Sequence, residues 1–353
     1  MGIKSLSGYK PEVKKNSIST VIGILVAVAF MSAQIVNAQG NEQWITFEGS
    51  EGAGSGQHIV LVSGDDEYRS EEALPMLAKI LSEHHGFKTT VLFAIDPETG
   101  EIKPDHQTNI PGMEHLLEAD LMVIFTRFRA LPDDQMRYFD EYLQAGKPMV
   151  GLRTATHAFN FPEGTESAYS KYAYNSDVSG WEGGFGRQIL GETWIDHHGD
   201  HGTEGTRGLI DGIKERNDHP VIRGVSDIWG PTDVYGTREL EGEVDVLVWG
   251  QSTNGMTPDA PVNWSKSIMP VAWTKEYTSE EGNSGRVFTT TMGASVDFES
   301  EDLRRLLVNA CYWTLGLEDE VPESSKVDIV GEYNPTMFGF GDYVKGLKPA
   351  DYQ

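Results

Sequence analysis

The chain of 353 residues has a single cysteine and few basic residues, with 28 Lys and Arg against 54 Asp and Glu. One thiol, Cys311, cannot form an internal disulfide and leaves little room for cysteine chemistry. The resulting formal net charge of −26 repels polyanions, so nucleic acid is excluded as a partner. Long apolar runs are also lacking, because no segment beyond residue 38 approaches the roughly 20 apolar residues of a membrane helix.

The first 38 residues follow the three-part pattern of a secretory signal peptide. Lys14 and Lys15 precede an apolar run at residues 21–31, and small residues then lead to Ala38. We expect cleavage after Ala38, export to the periplasm or the extracellular space, and no stable membrane span in the mature chain. An uncleaved anchor is the alternative, for which the apolar run is short. Residues 39–56 are rich in glycine and are expected to form a flexible leader.

Four short apolar runs alternate with helical patterns in the next part of the chain. Continuous apolar runs of strand length indicate strands that are buried on both faces. Apolar residues at positions i, i+3, i+4 and i+7 indicate helices. In order, these are strand 59–62, helix 74–81, strand 89–94, strand 121–125, helix 132–143 and strand 149–152. The alternation predicts an α/β fold with a doubly wound, mostly parallel sheet and helices on both faces.

The pattern changes after the fourth strand. Between Phe161 and Gly205 glycine, tyrosine, tryptophan and histidine are mixed, and we assign no element there. Further strands are predicted where β-branched and aromatic residues recur, at 244–249, 269–273 and 286–291.

The last periodic segment is a helix with an apolar stripe from Leu303 to Thr314. Cys311 belongs to this stripe and is predicted to be an inert core residue. Residues 318–353 show little periodicity and are expected to form an arm that lies across the domain or reaches a partner. A homo-oligomer is therefore left open, and the folded domain is expected at residues 57–317.

Polar side chains follow three of the predicted strands. The carboxyl ends of parallel strands share one edge of a sheet, where ligand crevices form. Carboxylates accept hydrogen bonds and guanidinium groups donate them, a combination that suits a polyhydroxylated ligand. Alternatively, these charges form surface ion pairs worth under about 1 kcal/mol each. The candidate ligand-binding residues are Asp65, Asp66 and Tyr68 after the first strand, Arg127 and Arg129 after the third, and Arg153 and Thr154 after the fourth.

Histidines supply the most concentrated chemical signal, because three of the ten fall within the five residues 197–201. Imidazole and carboxylate groups bind zinc-like divalent cations, and imidazole also transfers protons near neutral pH. A divalent metal, acid–base histidines without metal, and a solvated loop are the three interpretations. The candidate metal ligands are His197, Asp200 and His201, and the candidate catalytic residues are His157, His197 and His198.

A third polar group is the segment Trp229 to Tyr235. Asp233 and Tyr235 are candidate ligand-binding residues there, because they add a carboxylate and a phenol to the pocket. A tight turn around a buried aromatic residue is the alternative.

The order of these motifs resembles the trehalose-utilisation (ThuA-like) family, a branch of the class I glutamine-amidotransferase-like superfamily. The resemblance covers about residues 58–317 and implies a flavodoxin-like sheet and a link to carbohydrate metabolism. Besides the first strand with its acidic turn, the motifs that carry it are GLRTATHAF, HPVIRGV, WGPTDVY, PVAWTKEY, GRVFTTTMG and RRLLVNACYWTLG.

The amidotransferase relatives implied by this resemblance place a nucleophilic Cys at the centre of a Gly-x-Cys-x-Gly turn. The matching register here runs from Gly151 to Ala155 and has Arg153 at its centre. A guanidinium group cannot act as the nucleophile, and Cys311 lies far along the chain. Glutamine hydrolysis by a Cys–His pair is therefore excluded.

Together these observations predict an exported protein that acts on a sugar or an oxidised (keto) sugar through acid–base or metal-assisted chemistry. Such a protein is a sugar-directed hydrolase or isomerase with a small-molecule carbohydrate as its partner. The alternative is a non-catalytic carbohydrate-binding or assembly domain, in which aromatic rings such as Tyr174 and Trp194 stack on sugar rings.

Overall fold

The computed structural model describes residues 43–209 and 218–353, together with Met1, Gly2 and Gly8. Apart from these last three residues, the predicted signal peptide at 1–38 lies outside the described residues. Among the helices of the described part, none is both long and apolar enough to cross a membrane.

The described residues form a ten-stranded mixed sheet. Its spatial order is β1-β3-β2-β4-β5-β10-β9-β8-β6-β7. The strands are β1 Trp44–Phe47, β2 His58–Gly64, β3 Lys88–Leu92, β4 Leu121–Thr126, β5 Met149–Leu152, β6 Thr206–Gly208, β7 Trp229–Gly230, β8 Val244–Ser252, β9 Met269–Thr278 and β10 Ser284–Thr290. Each strand predicted from the sequence is present at or near its predicted position.

The prediction of a mostly parallel sheet is wrong. Among the described strands, those from β3 to β10 in the spatial order form four parallel pairings, and the other five pairings are antiparallel. Parallel neighbours need a long crossover, whereas antiparallel neighbours can be joined by a short loop. Residues 279–283 form such a loop between β9 and β10, so the chain beyond β5 adds an antiparallel half to the sheet.

In the described part of the chain, three α-helices cover the parallel half, α1 at Ser70–His85, α2 at Asp133–Gln144 and α3 at Glu301–Thr314. Alternate residues of a strand point to opposite faces, and Ile59 of β2 therefore packs in the core with α1 and α3 while Val60 packs with α2. The prediction of helices on both faces is thus confirmed. Cys311 of α3 is fully buried, as its place on the apolar stripe predicts.

The segment expected to be a flexible leader instead contributes a strand. β1 pairs antiparallel with β3 at the edge of the sheet, and its Ile45 is fully buried. The segment Trp44–Phe47 is only four residues long and is followed by glycines, so the sequence shows no clear strand period there.

The C-terminal arm, residues 318–353, lies across the domain. The backbone N–H of Ile102 donates to the carbonyl of Leu347, at 2.7 Å, and the ring of Tyr352 stacks on Phe93. The arm also approaches the carboxyl ends of the parallel strands, because Gly339 N donates to the carbonyl of Glu67 at 2.9 Å.

Candidate active site

Backbone strain marks the turns that follow β2, β4 and β5. Among the described residues, the non-glycine residues with positive φ are Arg69 (62°), Phe128 (49°) and Arg153 (45°), one in each turn. Left-handed backbone is unfavourable for such residues and is concentrated at functional sites. The turns are tied together, since Phe128 N donates to the carbonyl of His157 at 2.9 Å.

Arg153 begins the turn that follows β5. Its side chain is fully buried, with Cζ 3.7 Å from the centroid of the Tyr68 ring and 5.1 Å from that of Tyr235. Nη1 donates to the carbonyl of Thr291 at 3.1 Å, and Nη2 lies 3.8 Å from Oδ1 of Asp233. The guanidinium group is therefore a buried positive charge next to the carboxylate of Asp233. Nε and Nη2 make no hydrogen bond within the described part of the chain.

Three of the predicted ligand-binding residues, Asp65, Tyr68 and Thr154, lie beneath the surface and are fully buried. Asp65 accepts hydrogen bonds from the hydroxyl of Thr154 at 2.5 Å and from the backbone N–H of Glu67 at 2.7 Å. Burial raises the pKa of Asp65, although these hydrogen bonds oppose the shift. Asp65 thus fixes the turn after β2 and is not exposed to a ligand.

The two arginines that follow β4 have different environments. Arg127 is partly exposed, with Nη1 3.0 Å from Oδ1 of Asp66 and Nε 3.5 Å from Oε2 of Glu67. Its guanidinium carbon also lies 4.6 Å from the centroid of the Phe128 ring and 4.9 Å from that of Phe340. Arg129 is fully buried and donates only to backbone carbonyl oxygens, of residues 104, 106 and 127. Asp66 and Arg127 therefore lie at the edge of the site, whereas Arg129 supports the fold.

Asp233 joins two of the predicted histidines. Its Oδ2 lies 2.5 Å from Nδ1 of His197, and its Oδ1 lies 3.0 Å from Nδ1 of His201. The carboxylate is fully buried, whereas the side chains of His197 and His201 are 34% and 38% exposed. Burial raises the pKa of Asp233, but the histidine hydrogen bonds and Arg153 outweigh burial and lower it. The group presents two accessible imidazoles on one ionised carboxylate.

Backbone pairing brings these residues together across the chain. His197 forms a β-bridge with Tyr235, and His198 N donates to the carbonyl of Val234 at 2.8 Å. The loops also pack closely at Gly199, where a Cβ atom would lie 2.7 Å from Cβ of Asp233. Glycine is therefore required at this position for the histidine loop to reach Asp233.

His201 contacts a second carboxylate. Its Nε2 lies 3.3 Å from Oε1 of Glu67, and Glu67 is buried in the turn after β2. The ring of Phe338, from the C-terminal arm, covers one side of His201 at a centroid distance of 4.7 Å. The sequence has no signal for the role of Phe338, whereas Glu67 belongs to the acidic run that follows β2.

Asp200 and His198, two other predicted site residues, lie outside this group. The carboxylate of Asp200 is exposed and pairs with Nζ of Lys266 at 2.6 Å, so Asp233 takes the position predicted for Asp200. Burial is the main cause of the lowered pKa of His198, whose ring is part-buried beside the backbone of Ser267.

His157, the remaining predicted catalytic residue, is buried among aromatic rings. Its ring centroid lies 4.9 Å from Phe128, 5.7 Å from Trp194 and 5.2 Å from Tyr235. Burial, together with the charges of nearby arginines, lowers the pKa of His157 well below its usual value. A neutral imidazole at this depth can share a hydrogen bond with Thr156 Oγ1, 3.1 Å from Nδ1, but it has little contact with solvent.

The chain was compared with known proteins. Residues 59–314 match the family model for trehalose utilisation (ThuA). Among solved structures, a ThuA-like protein from Parabacteroides merdae is 18% identical with a TM-score of 0.43, covering 73% of this chain and 90% of that one. A ThuA-like protein from Bacteroides uniformis is 14% identical with a TM-score of 0.43, covering 75% of this chain and 94% of that one. No curated protein matches the chain.

The motif order noted in the sequence and the family match cover the same part of the chain. The match extends from β2 to the end of α3 and therefore includes every strand that surrounds the site. The chain belongs to the trehalose-utilisation (ThuA) family, which has a role in carbohydrate metabolism.

Proposed function

We propose that this chain is an enzyme that acts on a sugar or an oxidised (keto) sugar, with His197, Asp233 and His201 as its reactive group. The observation that carries the proposal is the fully buried carboxylate of Asp233, which holds Nδ1 of both imidazoles. A buried carboxylate fixes the orientation of an imidazole and stabilises its protonated form. Neither role requires the carboxylate itself to be accessible to the substrate.

Acid–base chemistry follows from having two such imidazoles side by side. Their ring centroids are 5.0 Å apart. Beside the carbonyl of a keto sugar, one imidazole takes the proton from the neighbouring carbon while the other gives a proton to the carbonyl oxygen, which forms an enediol. In hydrolysis, the same pair activates water and protonates the leaving oxygen. A positioned general acid or base contributes about 10²–10⁴-fold to rate.

The surroundings of the group suit a carbohydrate. The ring of Trp194 lies close to His197 and that of Phe338 close to His201, and Tyr174 lies beside Trp194. Asp66 and Arg127 supply a hydrogen-bond acceptor and donors. Ligand sites combine apolar lining with a few placed polar groups, and sugars present both hydroxyl groups and apolar C–H faces. Membership of the trehalose-utilisation family supports the same substrate class.

Two further parts of the proposal rest on the sequence. We propose export through a signal peptide at residues 1–38, with cleavage after Ala38. Self-association of the mature chain stays a prediction.

A substrate screen tests the proposal. Disaccharides and their keto derivatives are incubated with the chain, with His197→Ala and with His201→Ala, and products are identified by chromatography and mass spectrometry. Asp200→Asn is the matched control, because Asp200 lies in the same loop but outside the reactive group. Turnover that is lost in both histidine variants and retained in the control supports the enzyme. Saturable binding without product supports a non-catalytic carbohydrate-binding domain and rejects the enzyme.

A further inference from the structure

We propose that His197, His201 and Asp233 bind a divalent cation of borderline character, with Zn²⁺ as the best fit. One ligand atom from each of the three residues lies within 4.8 Å of the others. Two imidazole nitrogens and one carboxylate oxygen form a donor set that suits zinc and its transition-metal neighbours, whereas calcium and magnesium prefer oxygen ligands. Binding stands on this geometry alone, and only the use of the cation in catalysis rests on the proposed function.

The hydrogen positions around His201 provide the first argument. Both of its ring nitrogens face carboxylate oxygens, Nδ1 at 3.0 Å from Asp233 and Nε2 at 3.3 Å from Glu67. An ionised carboxylate only accepts hydrogen bonds, so each contact is filled either by a ring N–H or by a bound cation. A cation held by Nδ1 and Asp233 fits this geometry, because Nδ1 then offers its lone pair and Nε2–H donates to Glu67.

Glu67 provides the second argument. A histidine that binds a metal almost always donates its other ring N–H to a carboxylate, a carbonyl or water, which fixes the ring and raises its basicity. Glu67 is placed to accept this hydrogen bond from Nε2 of His201. Glu67 is itself paired with Arg127, whose Nε lies 3.5 Å from Oε2 of Glu67. The outer shell of a metal site is therefore already formed on one of the two histidines.

The number of ligands and their exposure indicate a catalytic site and not a structural one. Structural zinc sites have four protein ligands, whereas catalytic sites have three and leave a position for water or substrate. The three ligands here include two partly exposed imidazoles over a buried carboxylate. When bound, the cation would occupy the lone pairs of the two imidazoles and, in place of their proton transfer, would polarise a sugar carbonyl or acidify a bound water.

Neighbouring groups make an alternative ligand set unfavourable. Asp200 is drawn away by Lys266, and Lys266 also lies 3.3 Å from Glu204. Arg153 lies beneath Asp233 and leaves its carboxylate oriented toward the histidines. Asp200, Glu204 and Glu67 are thus already paired with lysine or arginine, whereas Asp233 is the carboxylate that both imidazoles contact.

Metal binding is measured on the full-length chain purified without an affinity tag. Elemental analysis gives the metal content as isolated, and Zn²⁺ titration of chelator-treated protein by calorimetry gives the affinity. We expect one Zn²⁺ per chain, lost in His197→Ala and His201→Ala. Glu67→Gln is expected to weaken binding by about 10–100-fold, as for other outer-shell partners. Asp200→Asn, the matched control, should bind like the unaltered chain, and circular dichroism confirms that each variant is folded.

Two results would overturn the site. One is the absence of saturable Zn²⁺ binding to the unaltered chain. The other is a folded Asp200→Asn that loses zinc as completely as His201→Ala. Neither result depends on turnover: sugar conversion by zinc-free protein would keep the proposed function while rejecting the cation as its cofactor.

Discussion

The ring of Phe338 lies against the imidazole of His201, with centroids 4.7 Å apart and planes inclined by 51°. Phe338 belongs to the C-terminal arm, and its ring also approaches that of Tyr68 at 5.5 Å. The arm is held in this place by Gly339, whose N–H donates to Glu67 O and whose carbonyl accepts from Nη2 of Arg69. The part of the arm around Phe338, which has no regular secondary structure, thus packs against the reactive group.

Phe338→Ala should release His201 and lower kcat by about tenfold with a smaller change in KM, because Phe338 positions a proton-transferring group. The ¹H–¹⁵N resonances of the His201 ring should move while those of His84, on α1, stay unchanged. Met337→Ala is the control, since Met337 is 49% exposed in the same segment. Unchanged His201 resonances in Phe338→Ala would remove the positioning role.

Arg69 should be important for stability, because two of its three side-chain hydrogen bonds hold the arm to the turn after β2. It is fully buried and donates to Thr336 Oγ1, Glu67 O and Gly339 O. Leaving these acceptors unpaired in Arg69→Ala should lower the free energy of unfolding by about 2 kcal/mol or more, measured with urea. Arg69→Ala with a free energy of unfolding within about 0.5 kcal/mol of the unaltered chain would contradict this role.

Glu71 should make stability depend on pH. Both its carboxylate oxygens are buried without a hydrogen bond, and burial raises its pKa from 4.5 to about 8. Between these values the folded chain keeps a proton that the unfolded chain releases, so the free energy of unfolding falls as pH rises. Relative to the unaltered chain, Glu71→Gln should therefore gain stability steadily from pH 4.5 to 8.

The measurement for Glu71 is urea unfolding at several pH values. Glu83→Gln serves as the control, because Glu83 is exposed on the same helix. A constant stability difference between Glu71→Gln and the unaltered chain across this pH range would show that Glu71 is ionised in the folded state.

Cys311 should be unreactive in the folded protein. It is fully buried in α3, and burial raises its pKa to about 12, so little thiolate forms near neutral pH. A chromogenic thiol reagent should label no thiol in native buffer and one thiol after denaturation. Rapid labelling of the native chain would contradict the core position.

The sequence predicted the parallel half of the fold well because its strands are continuous apolar runs and its helices have clear stripes. The very short strands β6 and β7 carry too few residues to show a period. The antiparallel half was misassigned because strand direction depends on connection length, and the short loop between β9 and β10 is visible only once both strands are placed.

The sequence indicated most residues of the candidate site but not which of them contact one another. His197 and His201 stand out by their spacing, and Asp200 lies between them in the chain. The actual partner, Asp233, lies 36 residues from His197 and is brought close by a β-bridge. Phe338 is still farther along the chain, and contacts at such separations leave no local pattern in one sequence.

The most direct test of the account is the kcat/KM of Asp233→Asn on the best substrate from the sugar screen. The change removes the charge of Asp233 while keeping its shape, and thermal unfolding confirms that the variant is folded. A loss of about 10³-fold or more is predicted, because both imidazoles lose the carboxylate that orients them. A folded Asp233→Asn with kcat/KM within about threefold of the unaltered chain would contradict the central claim.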